Sequence, residues 1–153
     1  MEPAGYIWTA RVGTNPGGMR RLMNRPTTPA RVTTLADNQI FVFGSNDRGL
    51  HDGGAARDAV EHFGAVWGQA RGLQGRSYAI VTVGSGVTLA TIRTEVEELF
   101  AFARAHPELT FLMTKIGTGI AGLPETDIKA LFGPDTPDNI WLPADWETRP
   151  SSK

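Results

Sequence analysis

Cysteine is absent from the 153 residues. That excludes disulfides, thiolate metal ligands and cysteine nucleophiles, and it suits a reducing compartment. No apolar stretch approaches the roughly 20 residues of a membrane span, and no charged-then-apolar leader opens the chain. A cytoplasmic protein without a membrane partner is therefore expected. The net charge is only -1, so there is no broad basic field to attract nucleic acid. Histidine is scarce, and His51, His62 and His106 have no metal-ligand spacing. No metal and no cofactor is expected. Ser45 and Ser85 lack the pattern of a nucleophile elbow.

Glycine is plentiful, at 18 residues. Many fall in two clusters, 44–54 and 117–122, as they do where backbone must turn sharply or approach a ligand closely. Hydrophobic residues make up 41% and charged residues 20%, ordinary for a globular chain. A chain of this length buries about 70% of its unfolded surface and needs no staple.

Residues 1–38 read as an N-terminal arm, or as a first strand plus loop. Tyr6-Ile7-Trp8-Thr9-Ala10-Arg11-Val12 suits a strand, and Asn15-Pro16-Gly17-Gly18 breaks it. From residue 39 the pattern regularises. Ile40-Phe41-Val42-Phe43 is the continuous apolar run of a strand buried on both faces. A helix over 54–63 comes next, with Ala56, Ala59, Val60 and Phe63 on one face, and Gly64 suits its C-terminal cap. Residues 65–77 are ambiguous.

A second strand covers 78–82. Thr88 then caps a helix reaching about 106, carried by Leu89, Ile92, Val96, Leu99 and Ala103 and stopped by Pro107. A third strand spans 109–114. Pro124 at a first helical position, with Glu125 and Asp127 behind it, opens a further helix whose buried face is Ile128, Leu131 and Phe132. A last strand covers 139–142, and the tail from about 147 reads as loose. Alternating strands and helices call for parallel crossovers. The fold class is α/β, a mixed, mostly parallel sheet flanked by helices in three layers.

The chemistry concentrates in two strand-end loops. In the first, Gly44, Ser45, Asn46 and Asp47 leave a buried strand, and His51, Asp52, Gly53 and Gly54 enter a helix. Ligands of open α/β sheets sit at that edge, where a helix start offers unpaired N–H groups and a positive dipole end. Asn46 can read a sugar hydroxyl. The second loop, Ile116-Gly117-Thr118-Gly119-Ile120-Ala121-Gly122, can form a nest of amides for an anion. Its Gly-x-Gly-x-x-Gly letters sit too late in the chain for a dinucleotide fingerprint.

Several residues keep two readings. Asp52 is either the helix N-cap, a position Asp favours, or a carboxylate that aligns water, as in glycoside cleavage. Asp47 either orders the loop or is a second catalytic candidate. His51 is an acid, a phosphate partner, or a residue that orders its loop. Lys115 points either into the cleft or to solvent. The four tryptophans suit packing, with an adenine stack open to Trp146.

Taken together, Phe43-Gly44-Ser45-Asn46, His51-Asp52-Gly53-Gly54-Ala55-Ala56, the 116–122 loop and the closing Leu142-Pro143-x-x-Trp146 resemble the macrodomain superfamily. More narrowly they resemble a phage- and bacteria-borne macrodomain-like family, over residues 39–146. The resemblance implies an ADP-ribose-binding domain and a de-ADP-ribosylating hydrolase. Its ligand would be ADP-ribose or a related NAD-derived nucleotide, and its partner an ADP-ribosylated macromolecule. Nucleic acid would enter only as that modified substrate. By resemblance Asn46 meets the distal ribose, residues 117–122 hold the diphosphate and Asp52 positions water. A non-catalytic reader of the same nucleotide is the alternative. A nucleic-acid-facing arm carrying Arg20, Arg21, Arg25 and Arg31, and a structural component with a decayed pocket, are further rivals.

Overall fold

The computed structural model describes residues 26–117 and 123–147. Its contacts divide the chain into two units, Met1–Pro26 with Arg149–Lys153, and Thr27–Thr148. The sheet and its helices belong to the second unit. The expected strand at 6–12 and the tail from 148 lie outside the described residues.

Among the described residues, six strands and three α-helices alternate. They are β1 (Thr27–Thr28), β2 (Gln39–Asn46), α1 (Gly54–His62), β3 (Gly72–Gln74) and β4 (Ser77–Val83), then α2 (Leu89–Ala105), β5 (Thr110–Met113), α3 (Glu125–Lys129) and β6 (Ile140–Pro143). A 3-10 turn, Ala144–Trp146, comes after β6. The sheet runs β1-β6-β5-β2-β4-β3. Every neighbouring pair is parallel except β3 with β4, so the expected mixed, mostly parallel α/β sheet is what forms.

β2 shows why its sequence makes a central strand. Ile40, Phe41, Val42 and Phe43 are all buried, and successive side chains leave opposite faces. Ile40 and Val42 join one core cluster with Ile92, Val96, Leu99, Phe100 and Ala103 of α2. Phe41 and Phe43 join another with Ala56 and Ala59 of α1 and with Phe63. Two helical layers thus sandwich one sheet.

α2 begins where the Thr pattern predicts. The Thr88 hydroxyl accepts from the Thr91 amide while the Thr91 hydroxyl accepts from the Thr88 amide, a reciprocal capping box. α3 is shorter than its pattern suggests. Pro124 stands at the cap with ψ 130° and not inside the helix, and Leu131 and Phe132 fall in the turn beyond it. The compact unit also starts earlier than 39, because Thr27 and Thr28 pair with Leu142 and Pro143. Two residues are too few for a periodicity to reveal. The ambiguous 65–77 segment supplies β3, which turns back onto β4. No helix among the described residues is long and apolar enough to cross a membrane.

Candidate functional site

β5, β2 and β4 are parallel neighbours, so their carboxyl ends open on one edge of the sheet. A cleft of about 360 Å³ lies there, walled by residues 44–46 of β2, Leu50 and 52–56, Thr82 and Val83, and 114–117. A second cavity of about 600 Å³ abuts it, lined by 28–32, Phe41, Asp58, Met113 and 143–145. Gly54, Ala55, Thr114 and Lys115 border both. Volumes of several hundred Å³ suit small-molecule sites. The topology therefore brings the first glycine loop and the start of the second to one place. Thr118, Gly119, Ile120, Ala121 and Gly122 lie outside the described residues; Gly117, at φ +76°, is packed against Ile128 and Leu123.

The register of β2 against β4 shifts between Ser45 and Asn46, so that Asn46 faces Val83. Such an irregularity re-aims a side chain. Asn46 lines the cleft but is already engaged with its own loop. Its Oδ1 accepts from the amides of Arg48 at 3.1 Å and Leu50 at 2.8 Å, and its Nδ2 donates to the Leu50 carbonyl at 2.8 Å. Nδ2 carries two protons, so one remains for a ligand. Gly44 forms the floor. A methyl group there would meet the Thr82 hydroxyl at 3.0 Å.

The start of α1 is bare. Gly53 is the N-cap in extended conformation, no side chain caps the helix, and its first turn holds no acid. The Gly53 carbonyl accepts from Arg57. The amides of Gly54, Ala55 and Ala56 have no hydrogen-bond partner among the described residues. These three residues line the smaller cleft, and the first two also line the larger cavity. Bare amides and a positive dipole end at a glycine-lined concavity favour an anion.

Asp52 is exposed and lines the smaller cleft. The N-cap reading is corrected: Gly53 takes that position, which leaves the Asp52 carboxylate at the cleft edge. Two other expectations are also corrected. His51 is 1% exposed and does not border the cleft. Its ring stands edge-on to Phe43 at 5.2 Å and approaches Trp67 at 6.5 Å. Nε2 lies 3.0 Å from the Gln69 carbonyl; a carbonyl only accepts, so Nε2 is the donor of that contact. Nδ1 has no partner among the described residues. His51 orders the loop and takes no place as a cleft acid or phosphate partner. Asp47 likewise does not border the cleft. Its carboxylate lies over Gly84, where a Cβ would sit 2.4 Å from the carboxyl carbon.

Ser45 lines the cleft, but its hydroxyl donates to the Ala70 carbonyl. Trp146 is fully buried against Phe132, and its Nε1 donates to Glu125, which removes it as an adenine stack. Lys115 borders both cavities. Its ammonium pairs with Asp145 at 2.5 Å and Glu125 at 3.3 Å. The hydrogen bond to Asp145 is the main cause that raises the lysine above its ordinary value, and Lys115 in turn lowers Asp145. Glu125 is lowered first by the Trp146 N–H and then by Lys115.

Thr82, Val83 and Thr114 line the cleft as well, and sequence reasoning missed them. Thr82 and Thr114 sit at the ends of β4 and β5, where the strand-end rule would have found them once strand order was known. Spacing among the histidines alone also overlooks a group on α1. There the potential ligand atoms of Asp58, Glu61 and His62 lie within 4.8 Å of one another, although Glu61 is already paired with Arg57 at 2.8 Å.

Compared with protein-family models, with curated proteins and with solved structures, the chain has no significant match.

Proposed function

We propose that the paired cavities hold ADP-ribose or a related NAD-derived nucleotide, and that the chain hydrolyses ADP-ribose from a modified macromolecule in the cytoplasm. One observation carries this reading. The start of α1, whose first three amides have no partner among the described residues, lies where the two cavities meet, beside Gly44 and Gly117 of the smaller cleft. That arrangement suits a diphosphate at the boundary with a sugar on one side and a nucleoside on the other. It also agrees with the macrodomain resemblance of the same loops.

In this reading the diphosphate lies on the amides of 54–56, with Gly117 opposite. The distal ribose occupies the smaller cleft, where the remaining Nδ2 proton of Asn46 meets a hydroxyl. The nucleoside lies in the larger cavity, among residues 28–32 and 143–145. Asp52 is the one carboxylate among the residues lining the smaller cleft. It accepts a proton from water as the water oxygen bonds to the anomeric carbon; the bond from that carbon to the carrier breaks, and the carrier takes up a proton from solvent as it leaves. Positive charge that develops on the sugar is stabilised by the same carboxylate.

The test has two stages. Calorimetry with ADP-ribose should show saturable binding that adenosine alone does not match. Incubation with an ADP-ribosylated protein, and separately with an ADP-ribosylated oligonucleotide, should then release ADP-ribose from one of them. Asp52→Ala should lose about 10²-fold or more of the rate, the scale of a lost general base, while still binding ADP-ribose. Absence of binding by the native protein defeats the nucleotide reading. Binding without release makes the chain a reader. Equal release by Asp52→Ala removes that residue's role.

A further inference from the structure

The boundary between the two cavities has an electrostatic peculiarity. The amides of Gly54 and Ala55 stand on one side, and Thr114 and Lys115 border both cavities. Lys115 is the one cation among the described residues that borders both cavities, yet its ammonium is already held by carboxylates from two different elements. Glu125 comes from the first turn of α3 and Asp145 from the 3-10 turn after β6. The two acids are not equivalent. Glu125 has a second duty, accepting from the indole N–H of the fully buried Trp146, so it is anchored. Asp145 has a side chain 63% exposed and itself lines the larger cavity, so it can release the lysine without disturbing the core.

We propose that Asp145 is an internal competitor for Lys115, and so a specificity-determining residue that penalises each anionic ligand in proportion to its use of the lysine. The inference rests on the nucleotide reading of the site and extends it. In the unliganded protein the carboxylate occupies the ammonium and adds negative charge beside the anion site. A ligand that takes Lys115 competes with that carboxylate for the ammonium. A ligand that spans the boundary meets the lysine as well as the α1 amides, whereas a short anion held by the amides alone leaves the pair in place. The aspartate thereby lowers affinity most for the ligands that use the lysine.

The experiment compares native protein, Asp145→Asn, Lys115→Met and the double variant, each titrated with ADP-ribose, AMP and inorganic pyrophosphate. All of the altered side chains are partly exposed, and melting curves establish that each variant is folded. Asp145→Asn should tighten ADP-ribose and pyrophosphate by about two- to five-fold, the scale of an exposed ion pair, and tighten AMP less. Lys115→Met should weaken ADP-ribose and pyrophosphate. In the Lys115→Met background the gain from Asp145→Asn should shrink. An equal gain in both backgrounds would mean simple long-range repulsion and would overturn the proposal. So would unchanged affinities in Asp145→Asn. Pyrophosphate binding that shows the expected pattern, without ADP-ribose binding, upholds the lysine–aspartate competition while the nucleotide reading falls. Native protein that binds none of the three overturns both.

Discussion

Gly49 ties the cleft loop to the segment behind it, and its replacement by alanine gives a quantitative test of that packing. The residue has φ +71°, and a Cβ there would lie 2.5 Å from the carbonyl carbon of Gly68 and 2.8 Å from the Gln69 nitrogen. Both are backbone atoms, so no side chain can swing aside. The left-handed conformation costs an ordinary residue about 1–2 kcal/mol. Moving the two backbones apart also sacrifices the bond from the Gly68 amide to the Gly49 carbonyl, 2.9 Å long, for about 1 kcal/mol. Against this, alanine restricts the unfolded chain and returns about 0.4–1 kcal/mol. The net loss is about 2 kcal/mol, which in a chain of this size lowers the melting temperature by about 4–8 °C.

Gly53→Ala is the control. Gly53 has φ -155°, and a Cβ there meets nothing within 4 Å, so its melting point should stay close to that of the native protein. Differential scanning calorimetry of the three proteins decides the matter. A Gly49→Ala protein that melts no lower than Gly53→Ala would show that the loop does not rest against Gly68 as described.

Two further tests address the electrostatics and the open side of β4. Glu95 on α2 accepts from the buried Val81 amide at 2.9 Å and pairs with Arg71 at 3.1 Å. Glu95→Ala should cost about 1–3 kcal/mol by stranding that amide and should speed its hydrogen exchange, while Glu95→Gln, which keeps an acceptor, should not; equal exchange in both variants would refute the assignment. The Lys115 cluster should contribute stability over a broad plateau. Asp145 and Glu125 are lowered from 3.8 and 4.5, so their share is present above those values and is lost as pH falls through the folded-state values. Lys115 is raised from 10.5, so its share is present below that value and is lost as pH rises through the folded-state one. The melting-point gap between native protein and Lys115→Met should therefore be flat near neutrality and narrow at both extremes; a gap that persists in strong acid would refute the ion pairing.

Much of the architecture was written locally. The unbroken Ile40–Phe43 run demands burial on both faces, and the Thr88 cap with its five core positions on α2 demands a long amphipathic helix. Both arise from near neighbours in the chain, and both appear in the fold. The short elements were not legible. β1 exists because β6 offers Thr27 and Thr28 an edge, and β3 because residues 65–77 fold back on β4; neither has an internal pattern strong enough to declare itself.

The site divides in the same way. Glycine clusters at 44–54 and 117–122, together with Asn46 and Asp52, are visible in the letters, because a strand end entering a helix needs those residue types. Which side chains remain available to a ligand depends on partners far along the chain. His51 is consumed by Phe43, Trp67 and the Gln69 carbonyl, Asp47 settles over Gly84, and Lys115 is claimed by Asp145 and Glu125. The sequence by itself determined the α/β layering and the strand-end loops in which the glycines gather, since periodicity and turn chemistry are short-range. Only the tertiary structure decided the order of the strands, the joining of two cavities at the start of α1 and the pairing of each charge, since these require residues tens to a hundred positions apart to meet in space.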